Sequence, residues 1–189
     1  KPISISQNAT IKNGTIASKV HIHNPEKANT VIFEKVTFSV AGLGSQAYTL
    51  QWQTAKAVTL KDCIFNTTGR PFEGANRAAT EVIVDGCLVM NTVGTNNPYV
   101  NPLGDNGKVT IKNSTFEVAV SCEVEGNENK FDITGNIFEK HFGTAVADGI
   151  KSATRTFLNG VLDNNTFTGN DKISVYDVTL KEEKFYDSL

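Results

Sequence analysis

The sequence predicts an all-β solenoid of about seven coils, because one short phrase recurs along the chain at intervals of 22 to 29 residues. The phrase "KVTIKNSTF" from Lys108 has near-copies in "NATIKNGTI" from Asn8, "AVTLKDCIF" from Ala57 and "KFDITGNIF" from Lys130. Each copy alternates apolar and polar residues and has Asn, Asp or Gly near its centre. Alternation with a period of two is typical of strands and not of helices.

Two apolar columns predict the first two strands of each coil. Aligning the copies gives a first column of Ile11, Phe33, Leu60, Val84, Ile111, Ile133 and Leu162, and a second of Ile16, Phe38, Phe65, Val89, Phe116, Phe138 and Phe167. The columns are five residues apart in every copy. We therefore expect both to line one continuous core of stacked coils.

A charged column lies directly after the first apolar column. Its members are polar in every copy: Lys12, Glu34, Lys61, Asp85, Lys112, Thr134 and Asp163. Alternation points these side chains outward. If the coils stack in order, opposite charges become lateral neighbours, and each pair contributes a few tenths of a kcal/mol without implying a ligand.

The residue between the two strands predicts a sharp corner. This column contains Asn13, Lys35, Asp62, Gly86, Asn113, Gly135 and Asn164. Gly, Asn and Asp enter the left-handed backbone region at least cost, whereas a β-branched residue there costs about 1 to 3 kcal/mol. One left-handed residue would turn the chain from the first strand into the second.

A third strand follows in most coils, in "KVHIH", "AYTLQW", "SCEVE", "TAVAD" and "KISVY". The expected outward positions are His21, His23, Thr49, Gln51, Gln53, Ser121, Glu123, Glu125, Ala145 and Ala147. Residues 39–47, 91–107 and 139–160 vary most in length between copies and are the loops where function is expected. Residues 181–189 are expected to form a short closing helix or cover.

Short strands, an Asn-type corner and a period in the twenties resemble the right-handed parallel β-helix of the pectate lyase-like (pectin lyase-like) superfamily. The resemblance covers roughly residues 7–180, within a single domain of residues 1–189 that we interpret as a fragment of a larger protein. A leucine-rich or hexapeptide solenoid is the alternative. The chain lacks the Leu/Asn signature of the first and the strict six-residue period of the second.

The resemblance raises the question of an enzyme, since many members cleave acidic polysaccharides. Pectate lyases of this shape hold calcium on several acidic side chains of one sheet, with an Arg nearby. Here one coil offers paired acids, Glu123 and Glu125, which would hold Ca²⁺ through hard oxygen ligands. The segment Asp148, Gly149, Ile150 and Lys151 resembles part of the polygalacturonase signature, whose paired Asp residues and Gly-His-Gly element are absent.

Candidate residues differ between an enzyme and a binding module. If the protein is an enzyme, the expected acid, base and anion-holding groups are His141, Asp148, Lys151 and Arg155. If it binds a ligand, the expected contacts are Glu123, Glu125, Gln51 and the exposed aromatic Tyr99. His21 and His23 have a metal-like spacing, but the sequence identifies no third ligand, so no metal site is predicted.

Interior positions are predicted for three other conspicuous residues. Trp52, the single tryptophan, alternates with Tyr48 and Leu50 and is expected in the core. Cys63 and Cys87 share one interior column in adjacent coils, and we expect free thiols there because a bridge between parallel neighbours is strained.

Composition narrows the classes of function. The net charge is -2, with 18 basic and 20 acidic residues and no basic stripe, so nucleic acid is not an expected partner. No apolar run approaches the roughly 20 residues of a membrane span. We expect a non-catalytic secreted or cell-surface module that binds glycan or acts as a rigid adhesive stalk. The alternatives are a polysaccharide lyase or glycoside hydrolase, and a trimeric phage tailspike-like fragment.

Overall fold

A computed structural model of the chain describes residues 1–26, 28–44, 47–74, 79–90, 99–100, 108–121, 130–140, 142–143, 160–168, 173–177 and 182–186. These residues form strands and connecting turns without a helix, and the strands pair in parallel except for the last two. The predicted fold class, an all-β parallel solenoid, is confirmed.

Twenty strands follow one another along the described residues. They are β1 (Ile3–Ile5), β2 (Ala9–Ile16), β3 (Val20–His23), β4 (Thr30–Val40), β5 (Tyr48–Lys61), β6 (Ile64–Thr67), β7 (Arg70–Gly74), β8 (Ala79–Asp85), β9 (Leu88–Val89), β10 (Tyr99–Val100), β11 (Lys108–Lys112), β12 (Thr115–Phe116), β13 (Ala119–Ser121), β14 (Lys130–Thr134), β15 (Ile137–Phe138), β16 (Phe142–Gly143), β17 (Gly160–Asp163), β18 (Thr166–Phe167), β19 (Ile173–Asp177) and β20 (Glu182–Tyr186).

The first face of the solenoid is the sheet that precedes each corner. In the described residues it is a ladder of seven parallel strands, in the order β2, β4, β5, β8, β11, β14 and β17. Ile11 pairs with Phe33, Phe33 with Leu60 and Leu60 with Val84, and the register continues to Leu162. The first predicted apolar column is therefore confirmed residue by residue.

The second face follows the corner and holds the second predicted column. Phe38 pairs with Phe65, and their rings stack with centroids 4.5 Å apart. Phe138 stacks on Phe116 at 5.3 Å and on Phe167 at 5.4 Å. These rings form an aromatic spine inside the solenoid, and offset stacking adds about 0.5 to 1.5 kcal/mol per pair beyond the burial of apolar area.

All seven predicted corner residues have the left-handed backbone. Their φ angles are 54° at Asn13, 54° at Lys35, 52° at Asp62, 65° at Gly86, 52° at Asn113, 67° at Gly135 and 54° at Asn164. A side chain at Gly86 would have its Cβ 2.5 Å from the Asp62 Oδ1 atom, so the Asp62 carboxylate would have to move to accept it.

Directly after the corners, an inner polar column runs through the interior. It consists of Cys63, Cys87, Ser114, Asn136 and Asn165. Backbone amides of one coil donate to side chains of the next: Cys87 N to Ser114 Oγ (3.0 Å), Ser114 N to Asn136 Oδ1 (2.9 Å) and Asn136 N to Asn165 Oδ1 (3.0 Å). These bonds satisfy amides that the sharp turn removes from the ladder. The two cysteines are buried free thiols, as predicted.

The third face is divided between two sheets. One contains β1, β3, the first part of β5, and β7, and the other contains β10, β13, β16, β19 and β20. The C-terminal segment differs from the helical option, because Glu182–Tyr186 is a strand that pairs antiparallel with β19.

The number of coils is also corrected. The sequence predicts about seven coils, whereas the solenoid has about four turns. The first face nevertheless has seven strands in the described residues. In the remaining coils the described third-face side chains are those of Ala119 and Val120 in β13.

Candidate functional site

Outward columns on the first two faces are rich in threonine and aliphatic residues. On the first face the column is Thr10, Ile32, Thr59, Ile83, Thr110, Asp132 and Val161, and on the second it is Thr15, Thr37, Ile64, Leu88, Thr115, Ile137 and Thr166. Such side chains favour strands. Their polar groups are mainly threonine hydroxyls, and they include no amide or imidazole group.

The third face carries a different outward column, which we call the third-face column. Ser4 pairs with His21, His21 with Gln51, and Gln51 with Glu73. Ser4 is exposed, and the other three side chains are partly exposed. Strands repeat about every 4.8 Å, so the four residues form a polar row roughly 14 Å long across β1, β3, β5 and β7. The row combines hydroxyl, imidazole, amide and carboxylate groups.

The ends of β3 and β5 are joined by side-chain hydrogen bonds. The register shifts between Ile22 and His23, so that His23 faces Thr54. His23 Nδ1 and Thr54 Oγ1 are 3.1 Å apart, and Asn24 N donates to the same hydroxyl oxygen at 2.9 Å. In the part of the chain that the structure describes, no group of three or more potential ligands forms a metal site around His21 and His23.

An arginine is buried beside the third-face column. Arg70 is 7% exposed, and its Nη1 donates to the Tyr48 hydroxyl at 2.7 Å. The guanidinium also lies 5.2 Å from the centre of the Tyr48 ring and 3.7 Å from the Glu73 Oε1 atom. Burying a guanidinium requires such partners. The carboxylate at the end of the row is therefore held by a positive charge, which balances it.

The charged column on the first face forms ion pairs between coils. Lys12 Nζ is 2.6 Å from Glu34 Oε2, and Lys112 Nζ is 3.5 Å from Asp85 Oδ2. The hydrogen bond from Lys12 and its positive charge lower the pKa of Glu34 below its ordinary value. These contacts confirm the predicted lateral pairing at two places. They are contacts between stacked coils rather than a site, since each joins a partly exposed carboxylate to one lysine of the neighbouring coil.

Core positions near the site differ in how well the sequence predicted them. Trp52 is fully buried, as predicted, with its ring centre 6.0 Å from that of Phe72. Thr49 was expected to point outward into solvent, but its exposure is 0%. The prediction that Thr49 is an outward, accessible residue is therefore wrong. Strand alternation predicts which side of the strand a side chain is on, but it does not predict whether another part of the chain covers that side.

The predicted site residues lie mostly outside the described part of the chain. Gln51 lies in the third-face column, as expected from its outward position. Tyr99 is the first residue of β10, but its side chain is not among those that the structure describes. The remaining candidates also lie outside the described residues: Glu123, Glu125, His141, Asp148, Lys151 and Arg155. The calcium hypothesis and the enzyme hypothesis, which depend on those six residues, stay predictions.

Sequence reasoning missed the third strand of the third coil. "RPFEG" at Arg70–Gly74 supplies Arg70 and Glu73, and Phe72 from its centre is fully buried. The signal was weak because Pro71 interrupts the apolar alternation, and proline argues against a central strand. Counting back from the next corner would have found it, since β7 occupies the place that "AYTLQW" occupies one coil earlier.

No family model, curated protein or solved structure matches the chain. The class of protein therefore comes from the fold itself, which is a parallel β-solenoid with a polar outward row on one face. In the described residues no helix is long and apolar enough to cross a membrane.

Proposed function

We propose that the chain is a non-catalytic module of a secreted or cell-surface protein, with the pectin lyase-like architecture, and that it binds a glycan for adhesion. The observation that supports this proposal is the third-face column. Ser4, His21, Gln51 and Glu73 form a continuous row of hydrogen-bonding groups on a rigid sheet.

The chemistry of the row suits a sugar chain. Sugars present adjacent hydroxyl groups that both donate and accept, and the Gln51 amide and the His21 imidazole offer both functions. The row advances by about 4.8 Å per strand along the solenoid axis, so that a linear glycan lying along this axis meets one polar group per step. Polar groups placed on a rigid scaffold lose little entropy on binding.

The charge of the row favours a neutral glycan. Glu73 is 3.7 Å from the Arg70 guanidinium, which balances its charge. A polyuronate would need positive side chains pointing at it, and the row offers an amide, a hydroxyl and an imidazole instead. We therefore place neutral glycans ahead of the acidic polysaccharides that lyases of this shape cleave.

A glycan array read with matched variants tests the proposal. Wild-type protein should bind a set of neutral glycans, and Gln51→Ala should weaken that binding about tenfold, as expected for the loss of one or two hydrogen bonds. Thr59→Ala is the control, because Thr59 lies on the same strand but points outward on the first face. Its affinity should equal that of wild type.

Several outcomes would contradict the proposal. A rigid stalk would bind no glycan, and equal losses for Gln51→Ala and Thr59→Ala would place binding elsewhere. Release of unsaturated products or reducing ends from polygalacturonate, alginate or chondroitin, with or without calcium, would favour an enzyme. Activity lost in Asp148→Ala or Glu123→Gln would then identify its residues. A trimer in solution would favour the tailspike-like alternative.

A further inference from the structure

Two thiols lie next to each other in the inner polar column. Cys63 is 0% exposed and Cys87 is 2% exposed, and they occupy equivalent positions in adjacent coils. The neighbouring Cys63 thiol and burial together raise the pKa of Cys87. Both cysteines are free.

The thiols differ from the other members of the column in the strength of their contacts. Ser114 Oγ and Asn136 Nδ2 each donate to a backbone carbonyl at 2.8 Å. The Cys63 and Cys87 Sγ atoms contact carbonyl oxygens at 3.4 to 3.5 Å. A thiol is a weak donor, so the main cost of removing these protons is the burial of negative charge. A bound metal ion offsets that cost, because a coordinating thiol is deprotonated outright.

The repeat distance of the solenoid suits one type of ligand for such a pair. Adjacent strands lie about 4.7 to 4.9 Å apart, and equivalent side chains repeat at that distance. Thiolate sulfur binds Zn²⁺ at about 2.3 Å, and a bond of about that length to another first-row ion would put two sulfurs on opposite sides of the ion about 4.6 Å apart.

We propose that Cys63 and Cys87 form a two-coordinate site for a soft monovalent metal ion of the Cu(I) type. Soft thiolate ligands select Cu(I). On binding, both S–H bonds break, two S–Cu bonds form and two protons leave, so that no electron is transferred. The site is independent of the glycan proposal, because the inner polar column lies behind the corner and not on the third face.

The surroundings disfavour the commoner harder ions. Zn²⁺ in structural sites requires four ligands, and Ca²⁺ and Mg²⁺ require six or more oxygens. Among the described residues no third His, Cys, Asp or Glu joins the pair in a metal-binding group. Val36 and Phe65 near the pair are buried and apolar, and Ser114 beside Cys87 is the next polar member of the column.

The test uses Cys122→Ser protein, which retains only the buried pair. Under anaerobic conditions with ascorbate, the protein is titrated with Cu(I) against a chromophoric Cu(I) chelator, and stoichiometry is read by native mass spectrometry. We expect one Cu(I) per chain and a rise in the unfolding temperature, because the ion binds the folded state. Zn²⁺ at the same concentration should leave both unchanged.

Matched variants in the same background decide whether the pair is the site. Adding Cys63→Ser or Cys87→Ser removes one sulfur but keeps a small polar group, and Cu(I) binding should be lost. Adding Ser114→Ala changes the next member of the column and should leave binding intact. Binding that survives loss of either thiol, or its absence in folded Cys122→Ser protein, would overturn the site.

X-ray absorption at the copper edge decides the question if a one-thiol variant does not fold. Two sulfur neighbours around copper in Cys122→Ser protein would support the proposal. Nitrogen or oxygen neighbours would overturn it.

Discussion

Lys35 has the least suitable side chain of the seven corner residues. Its φ of 54° matches those of the Asn and Asp corners, but lysine lacks the short polar side chain that stabilises the left-handed backbone locally. The cost of holding an ordinary residue in this region is about 1 to 3 kcal/mol. The fold accepts this cost because the corners above and below fix the path of the chain.

Replacing Lys35 should therefore change stability in both directions. Lys35→Asn should raise the free energy of unfolding by about 1 kcal/mol, and Lys35→Val should lower it by about 1 to 2 kcal/mol. Urea denaturation followed by circular dichroism measures both. Lys61→Asn is the control, because Lys61 ends a strand on the outward side and its φ is not positive. A stabilising effect of Lys61→Asn as large as that of Lys35→Asn would remove the conformational explanation.

Glu34 gives the folded state a pH dependence at acidic pH. Its pKa is lowered by the hydrogen bond and the charge of Lys12, so its stabilising contribution is fully present above the unfolded-state pKa. That contribution is lost as the pH falls through the lower, folded-state pKa. We expect Lys12→Gln to move the Glu34 pKa, measured by carboxyl NMR titration, up toward the ordinary value. Lys19→Gln should leave it unchanged, and an equal shift there would indicate a general charge effect.

Residue-scale prediction from sequence succeeded where the constraint is local. The seven corners and both apolar columns could be found because each requires a certain type of residue at one backbone position. Thr49 and Arg70 could not be found in the same way. Thr49 is buried, and Arg70 contacts Tyr48 and Glu73. Both features depend on which other parts of the chain pack over the strand, and the alternation of residues within the strand does not predict that packing.

At the scale of elements, the loop after β4 is fastened to the turn between β6 and β7. Leu43 N donates to the Thr68 hydroxyl at 2.9 Å, and Arg70 N donates to Ala47 O at 2.8 Å. Gly69 lies at the centre of this contact and is buried. The loop therefore holds the beginning of β7, and so the positions of Arg70 and Glu73.

Adding one methyl group at Gly69 should loosen this connection. A Cβ there would lie 2.3 Å from Ala47 O and 2.9 Å from Leu43 Cβ, so the loop must move. We expect Gly69→Ala to lower the free energy of unfolding by about 1 to 3 kcal/mol, the range for overpacking. Thermal unfolding measures the change. Gly44→Ala is the control, since nothing lies within 4 Å of its added Cβ. A neutral Gly69→Ala would show that the loop is not held there.

At the scale of the whole molecule, stability depends on contacts between neighbouring coils. Each coil packs only on the coils above and below it, so a defect should have a local effect. The sequence predicts this architecture well because the same pattern of strand, corner and strand occurs seven times, although one occurrence alone would be a weak signal. It predicts the candidate site poorly, because the third face has no repeated phrase and its strands could be recognised only one at a time.

A cavity in the aromatic spine should open one end of the molecule. Phe138 is 1% exposed and stacks between Phe116 and Phe167. Phe138→Ala should cost about 3 to 5 kcal/mol. Amide exchange should accelerate in β14, β15, β17 and β18 and stay unchanged in β3 and β5. Ile137→Ala is the control, because Ile137 is 40% exposed and points outward. Uniform acceleration along the chain would contradict the local effect.

The aromatic spine is interrupted at one rung. Phe65 and Phe116 flank Val89, so the rings form two separate stacks with an aliphatic side chain between them. Under tension along the solenoid axis, the coils are therefore expected to separate first at Val89. Each of the two parts would keep its own stack of rings after this separation.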